Sequence, residues 1–372
     1  MKIALVHDHL IQDGGAERVL QILSDIWPQA PIYTLLYDQN KFGQIFKDKD
    51  IRTSFLQQWP GALKHYQWFL PLMPTATESY DLMDYDVVIS SCSAMAKGII
   101  TRSNTLHFCY CHTPTRYLWS DTHRYVEEIK YNRAVKKIIP AILTNLRSWD
   151  QLAAQRVDTF IANSKNVSDR IRKYYRRDSL IIHPPVETDK FKISDKIDKY
   201  FLTGGRLVAY KRFDVAISAF NRLGIPLKIF GTGPEEKKLK QLAKPNIEFL
   251  GKINQAELAK TYAKAIAFIH PQIEDFGITA VESMAAGRPV IAFAAGGACE
   301  TVVEKKTGKF FDEQTWEALA DAIVRFKPQD YNPTQIKYYA EQFGAQRFKK
   351  EIKELVELEW EKLNSTQIKC GF

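Results

Sequence analysis

Cysteine is scarce in this chain of 372 residues, with only five, at positions 92, 109, 111, 299 and 370. An odd, scattered set excludes a disulfide framework and points to a reducing compartment, the cytoplasm. Cys109-x-Cys111-His112 resembles half of a zinc site, but no second ligand group follows at zinc spacing, so no metal is expected. A run of about 18 uncharged apolar residues is also missing, which excludes a membrane-spanning helix. The opening MKIALVHDHL has one lysine and a short apolar stretch broken by His-Asp-His, and reads as a first strand, not a signal peptide. There is no short-period repeat and no low-complexity tract. Gly-x-Gly-x-x-Gly is absent too, which makes a dehydrogenase reading poor.

What is present is a full globular composition, 45% hydrophobic, with length for two domains at ~150 residues each. Short apolar runs alternate with helix-like segments: Lys2–Val6, Asp86–Ser90, Leu106–Cys111 and Thr159–Ala162 read as strands, and Ala16–Ile26 and Val167–Tyr174 as helices, the latter capped by Ser164. Buried runs of this kind between helices predict α/β architecture with doubly wound parallel sheets. The order restarts after the stiff Pro184-Pro185 break, with strands at Phe201–Thr203, Leu227–Phe230, Ile247–Leu250, Ala267–His270 and Val290–Ala294. Domains are therefore expected over residues 1–183 and 184–346. An amphipathic helix at about 347–365 is expected to pack back on the first. Net charge is +9, and residues 121–178 hold 13 basic against 7 acidic side chains. Such a block suits anionic lipid, nucleic acid or an anionic substrate, or is a solvated helix face. No nucleic-acid reading motif accompanies it.

Ligands of open α/β sheets bind beyond the carboxyl ends of the strands, and the polar residues of interest fall on loops there. Arg206 and Lys211, five apart after the first strand of the second half, can grip a diphosphate without a metal. Gly231-Thr232-Gly233-Pro234 is a tight turn that can bring backbone close to a nucleotide. Glu274 and Glu282, seven residues between them, flank Phe276-Gly277-Ile278, a glycine turn opening a helix. Exposed amides there seat an anion. Gly14-Gly15 follows the first strand, where backbone amides can meet phosphate, and His112 stands where a strand gives way to a loop. His7 and His9 read mainly as structural. Asp84-Tyr85-Asp86 has the form of a metal-binding pair but precedes a strand, at the wrong end of the sheet.

In this order the motifs resemble the retaining glycosyltransferases of family four. The most specific element is Glu274-x7-Glu282 with Phe276-Gly277 inside and Gly287-Arg288-Pro289-Val290 after it. The resemblance implies the GT-B fold, two Rossmann-like domains facing an interdomain cleft, an acceptor-binding half and a nucleotide-sugar-binding half. It assigns Glu274 and His112 to the reacting sugar. Arg206, Lys211, Gly277, Ile278, Gly14 and Gly15 fall to the donor diphosphate, and Glu282 with Gly231 and Gly233 to the nucleoside. GGAERVL and YCHTPTRYLWSD are similar to bacterial exopolysaccharide and O-antigen mannosyltransferases. That likeness implies hexose transfer from a nucleotide-sugar donor, GDP-mannose favoured over a UDP-sugar, to a polyprenyl-diphosphate-linked saccharide. It further implies retained configuration, no metal and no cofactor, and a peripheral position on the inner, anionic membrane face. Asp275, where many members have glycine, is a departure that bears on sugar specificity. A sugar-nucleotide epimerase and a basic nucleic-acid-binding protein are the alternatives, although no nucleic-acid partner is expected.

Overall fold

Every strand pairing in the named sheets is parallel. The computed structural model describes residues 1–12, 14–128 and 133–370; residues 129–132 of the basic segment lie outside the described residues. The chain divides into two compact units, Met1–His183 with the segment from Lys349 onward, and Pro184–Phe348.

The first unit is built on seven strands: β1 Ile3–His7, β2 Ile32–Thr34, β3 Ile51–Thr53, β4 Val87–Cys92, β5 Leu106–Cys111, β6 Thr159–Ala162 and β7 Leu180–Ile181. Their order in the sheet is β3-β2-β1-β4-β5-β6-β7. β1 and β4 are buried along their whole length, as expected of parallel strands covered on both faces. Helix Gly15–Ile26 turns Val19, Leu20, Ile22 and Leu23 inward. Helix Lys165–Tyr175 starts where Ser164 Oγ accepts from the Val167 amide at 3.1 Å. The last helix, Ala345–Cys370, enters this unit with Ile352 and Val356 buried and Lys349 Nζ 3.0 Å from Asp25.

The second unit carries β8 Phe201–Gly204, β9 Leu227–Phe230, β10 Ile247–Gly251, β11 Phe268–His270, β12 Val290–Phe293 and β13 Gly308–Phe311, ordered β10-β9-β8-β11-β12-β13. Helix Phe213–Leu223 packs Phe213, Ala216, Ile217 and Phe220 with Leu227, Ile229 and Ile291 of the sheet, and Gly224, in the left-handed region, ends it. Both units are thus Rossmann-like.

Four strands had no expected counterpart: β2 and β3, of three residues each, β7, of two, and β13, of four. Runs so short show no periodicity. The helix Arg133–Ala154, which continues through Pro140, also had no expected counterpart.

His107 on β5 shows how tightly the first sheet is sealed. It is fully buried, its Nε2 lies 2.8 Å from Ser90 Oγ, and its Nδ1 is buried without a partner. Burial pushes its pKa down to about 3. Below about pH 6.5 the unfolded chain takes up a proton that folded His107 refuses, so its contribution is full above that pH and falls as pH drops toward about 3. Urea titrations at about pH 7 and about pH 5 are expected to show His107→Gln losing about 2 kcal/mol less stability over that interval than the parent. Equal losses would refute a neutral buried imidazole.

Candidate active site

Strand order reverses direction between β8 and β11, so the loops leaving their carboxyl ends part and expose a gap at the sheet edge. The loop after β8 carries Arg206 and Lys211, and the loop after β11 carries Glu274. Lys211 Nζ and Glu274 Oε1 lie 2.7 Å apart, the side chains only 12% and 15% exposed. Burial alone would lower the lysine pKa, but the Glu274 charge outweighs it, with smaller help from Tyr210 and Glu282, and the ammonium is held above its ordinary value. The lysine is therefore charged at neutral pH. Arg206 is exposed on the same loop.

Gly277, at φ 92°, turns the chain from the Glu274 loop into helix Ile278–Ala285. That backbone region favours glycine. The first amides of a helix have no intrahelical acceptor, so the Gly277–Ile278 start is a seat for negative charge beside Lys211. Glu282 lies one turn on, 3% exposed, accepting from the Tyr262 hydroxyl at 3.2 Å.

Gly231 and Gly233 are required by packing. A Cβ on Gly231 would stand 1.9 Å from the Gly205 carbonyl oxygen, and one on Gly233 2.3 Å from that of Leu207. The Leu207 amide bonds to Thr232 at 2.9 Å, and the Glu235 amide to Leu207 at 3.1 Å. The turn after β9 therefore clasps the Arg206 loop.

Two supports escaped sequence reading. Gly297, after β12, donates its amide to the Glu274 carbonyl at 2.9 Å, and a Cβ there would fall 2.3 Å from Phe276 Cα. Gln314 ties the two loops, donating to the Pro271 carbonyl at 2.8 Å and accepting from Arg212 at 3.1 Å. The glycine pair in AAGGACE was the available signal for the first; Gln314 had none. His270, at the end of β11, is fully buried and bonded through Nδ1 to Gln272 at 3.1 Å. Burial pushes its pKa down to about 4 despite the opposing Glu274 charge, so it is neutral beneath the site.

The first unit has its own reversal, between β1 and β4. Asp8, just past β1, accepts four backbone amides from the loop after β4: Ser93 at 2.6 Å, Ala94 at 2.9 Å, Met95 at 2.7 Å and Ala96 at 2.7 Å. Burial pushes its pKa up, but His7 and these amides outweigh that and hold the carboxyl below its ordinary value. His112 follows β5, its carbonyl accepting from Asn163 at 2.9 Å and its Nε2 lying 2.8 Å from Ser91 Oγ. Burial, reinforced by His7, pushes its pKa down to about 4. Gly14 and Gly15 open helix Gly15–Ile26, and the protein's own Glu17 carboxylate sits close to Gly14 at that helix start. Asp86 accepts from the Lys2 amide at 2.7 Å, at the amino end of β4. Among the described residues, no group of three or more His, Cys, Asp or Glu is placed to hold a metal ion.

Residues 185–343 match the family model for Glycosyl transferases group 1. The GDP-mannose-dependent alpha-(1-6)-phosphatidylinositol monomannoside mannosyltransferase of Mycobacterium tuberculosis is 32% identical over 171 residues, 38% of this chain and 44% of that protein. The alpha-1,3/1,6-mannosyltransferase ALG2 of Rhizomucor pusillus is 23% identical over 94% of this chain and 88% of its own length. The chain thus spans under half the mycobacterial relative but most of the fungal one. Among solved structures, Anabaena HepE in complex with UDP superposes with a TM-score of 0.71 at 18% identity, covering 96% of this chain and 100% of that one, a likeness of fold. The second unit therefore carries a Glycosyl transferases group 1 domain, and the pair of Rossmann-like units is the GT-B class expected from sequence.

Gly297→Ala tests the support of the Glu274 loop. Its Cβ meets backbone, which cannot swing aside, so a loss of about 1–3 kcal/mol in stability is expected together with weakened nucleotide binding. Urea unfolding and calorimetric titration with GDP and UDP measure both, and unchanged values would show that the loop does not depend on this contact.

Proposed function

We propose that this chain is a retaining hexosyltransferase that uses a nucleoside-diphosphate sugar, GDP-mannose in the first instance. The observation that carries the reading is the charged Lys211–Glu274 pair, set beside the Gly277 helix start at the strand reversal of the second unit. A leaving diphosphate gains negative charge as its sugar departs. Lys211, Arg206 and the Gly277–Ile278 amides supply positive charge fixed in advance, which is worth more at the transition state than in the ground state. Glu274 holds Lys211 before the donor arrives and is then placed to bond a sugar hydroxyl or steady positive charge on the sugar ring. Glu282 is proposed to bind the ribose, and the Gly231–Gly233 turn to bound the nucleoside by backbone.

His112 is proposed to act at the reacting sugar, and Gly14 and Gly15 at the donor phosphate. No convincing nucleophile stands out for a covalent intermediate, so attack on the same face is favoured, with the leaving phosphate taking the acceptor proton. Protein cations and amides replace a divalent ion in this scheme, so chelator is expected to leave the rate unchanged. The mannose preference is supported by the mannosyltransferases among the relatives, and a UDP-sugar donor by the UDP bound to HepE.

The acceptor is proposed to be a polyprenyl-diphosphate-linked saccharide at the inner face of the cytoplasmic membrane. Support comes from one segment of the first unit, where Phe55, Trp59, Leu63, Trp68 and Leu72 are all exposed, Trp68 by 64%. It forms two short 3-10 helices, Phe55–Gln58 and Tyr66–Leu72, with the tryptophans outward. No helix among the described residues is long and apolar enough to cross a bilayer.

Calorimetry and transfer assays test the donor reading. Lys211→Ala is expected to weaken GDP binding about tenfold or more, the size of one charged hydrogen bond, and Glu274→Ala to lower turnover about 100-fold. Binding of neither GDP nor UDP would sink the proposal, stronger UDP binding would move the donor to a UDP-sugar, and strict magnesium dependence would remove the metal-free scheme. Sedimentation with phosphatidylglycerol vesicles tests the surface: the parent is expected to pellet, and Trp68→Ser with Trp59→Ser to pellet less. Equal pelleting with phosphatidylcholine alone would remove the anionic-membrane reading.

A further inference from the structure

Three neighbouring strands bring four polar side chains into line. His7 ends β1 opposite Ser91 of β4, and Ser91 lies opposite Tyr110 of β5, two residues before His112. Glu17 Oε1 lies 3.7 Å from His7 Nε2, His7 Nδ1 lies 3.1 Å from Ser91 Oγ, and Ser91 Oγ lies 2.8 Å from His112 Nε2. His7 and Glu17 are only 2% and 11% exposed, and Ser91 is fully buried. Packing alone would favour apolar residues here, since buried polar groups cost free energy unless bonded.

The serine hydroxyl has a single proton. It donates to one imidazole and must accept from the other. The carboxylate decides which. An ionised Glu17 only accepts, and at 3.7 Å its charge favours hydrogen on Nε2 of a neutral His7. His7 Nδ1 is then bare and takes the Ser91 proton as a hydrogen bond. Ser91 Oγ in turn accepts from His112 Nε2–H, which leaves His112 Nδ1 bare. Asp8 is the other carboxylate close by, but its oxygens are committed to four backbone amides. Gly14 fits the same device, since a Cβ there would stand 3.0 Å from Glu17 Oε2 and press on the carboxylate.

We propose that Glu17, His7 and Ser91 are positioning residues that fix His112 as its Nε2–H tautomer, so that Nδ1 accepts a hydrogen bond from a substrate hydroxyl. The kinetic half of this inference rests on His112 acting at the sugar; the tautomer half does not.

Nitrogen-15 spectra of the imidazoles in the full-length labelled protein read the tautomer directly, with His112→Asn to assign the signals. His112 is expected to show a protonated Nε2 and a bare Nδ1. Ser91→Ala is expected to mix the two tautomers and lower kcat about tenfold, one hydrogen bond's worth, with donor KM nearly unchanged, while Ser91→Thr keeps the parent pattern. Glu17→Ala, at a helix start, is the second variant should Ser91→Ala not fold, with the same mixing expected. A parent His112 protonated on Nδ1, or spectra unmoved by both variants, overturns the relay. The expected tautomer together with full transfer by His112→Ala would uphold the relay and reject His112 at the sugar.

Discussion

Parallel pairing puts the carboxyl ends of all strands along one edge of each sheet, and the polar groups gathered at both strand reversals depend on that constraint. Each strand must return by a crossover, and where the crossovers depart in opposite directions the loops cannot fill the space between them. Both sheets have such a reversal, β1 against β4 and β8 against β11. The Lys211–Glu274 pair in one unit, and Asp8, His7 and Ser91 in the other, are the side chains that the reversals bring together.

Charge in these places is kept only because it is answered. Around Lys211 the neighbouring charges, Glu274 foremost, together outweigh its burial, and around Asp8 His7 with amides including those of Ala96 and Ser93 do the same. The same logic holds away from the site, where buried Lys97 pairs with Asp150, whose carboxylate also accepts from Thr115 and Trp119 at 2.8 Å each. An unanswered charge at such depth would cost several kcal/mol. Histidines show the opposite solution: His107, His112 and His270 are held neutral by burial, each below its ordinary pKa.

Glycine does a different task on each side of the gap. At Gly277 it permits a left-handed turn into a helix. At Gly231, Gly233 and Gly297 it permits one loop to lie against the backbone of another. Sequence reading took Gly231 and Gly233 as nucleoside contacts, because a tight turn after a strand can serve a ligand. Their clasp on Gly205 and Leu207 is invisible without the neighbouring strand.

Apolar runs of four or more residues between helices are local patterns, and β1, β4, β5, β6 and most of the second sheet lie within a residue or two of where those patterns put them. Residue types at strand ends are equally local, so the sequence by itself determined the α/β class and set Arg206, Lys211, Glu274 and Gly277 apart as candidate site residues. Strands of three residues, β2 and β3, have no period to detect. Which strand ends meet was decided only by the tertiary structure, because strand order is a long-range property that no window of sequence contains. The lysine reaching its glutamate, Gly297 pinning the loop between them, and Glu17, His7, Ser91 and His112 falling into line all follow from that order.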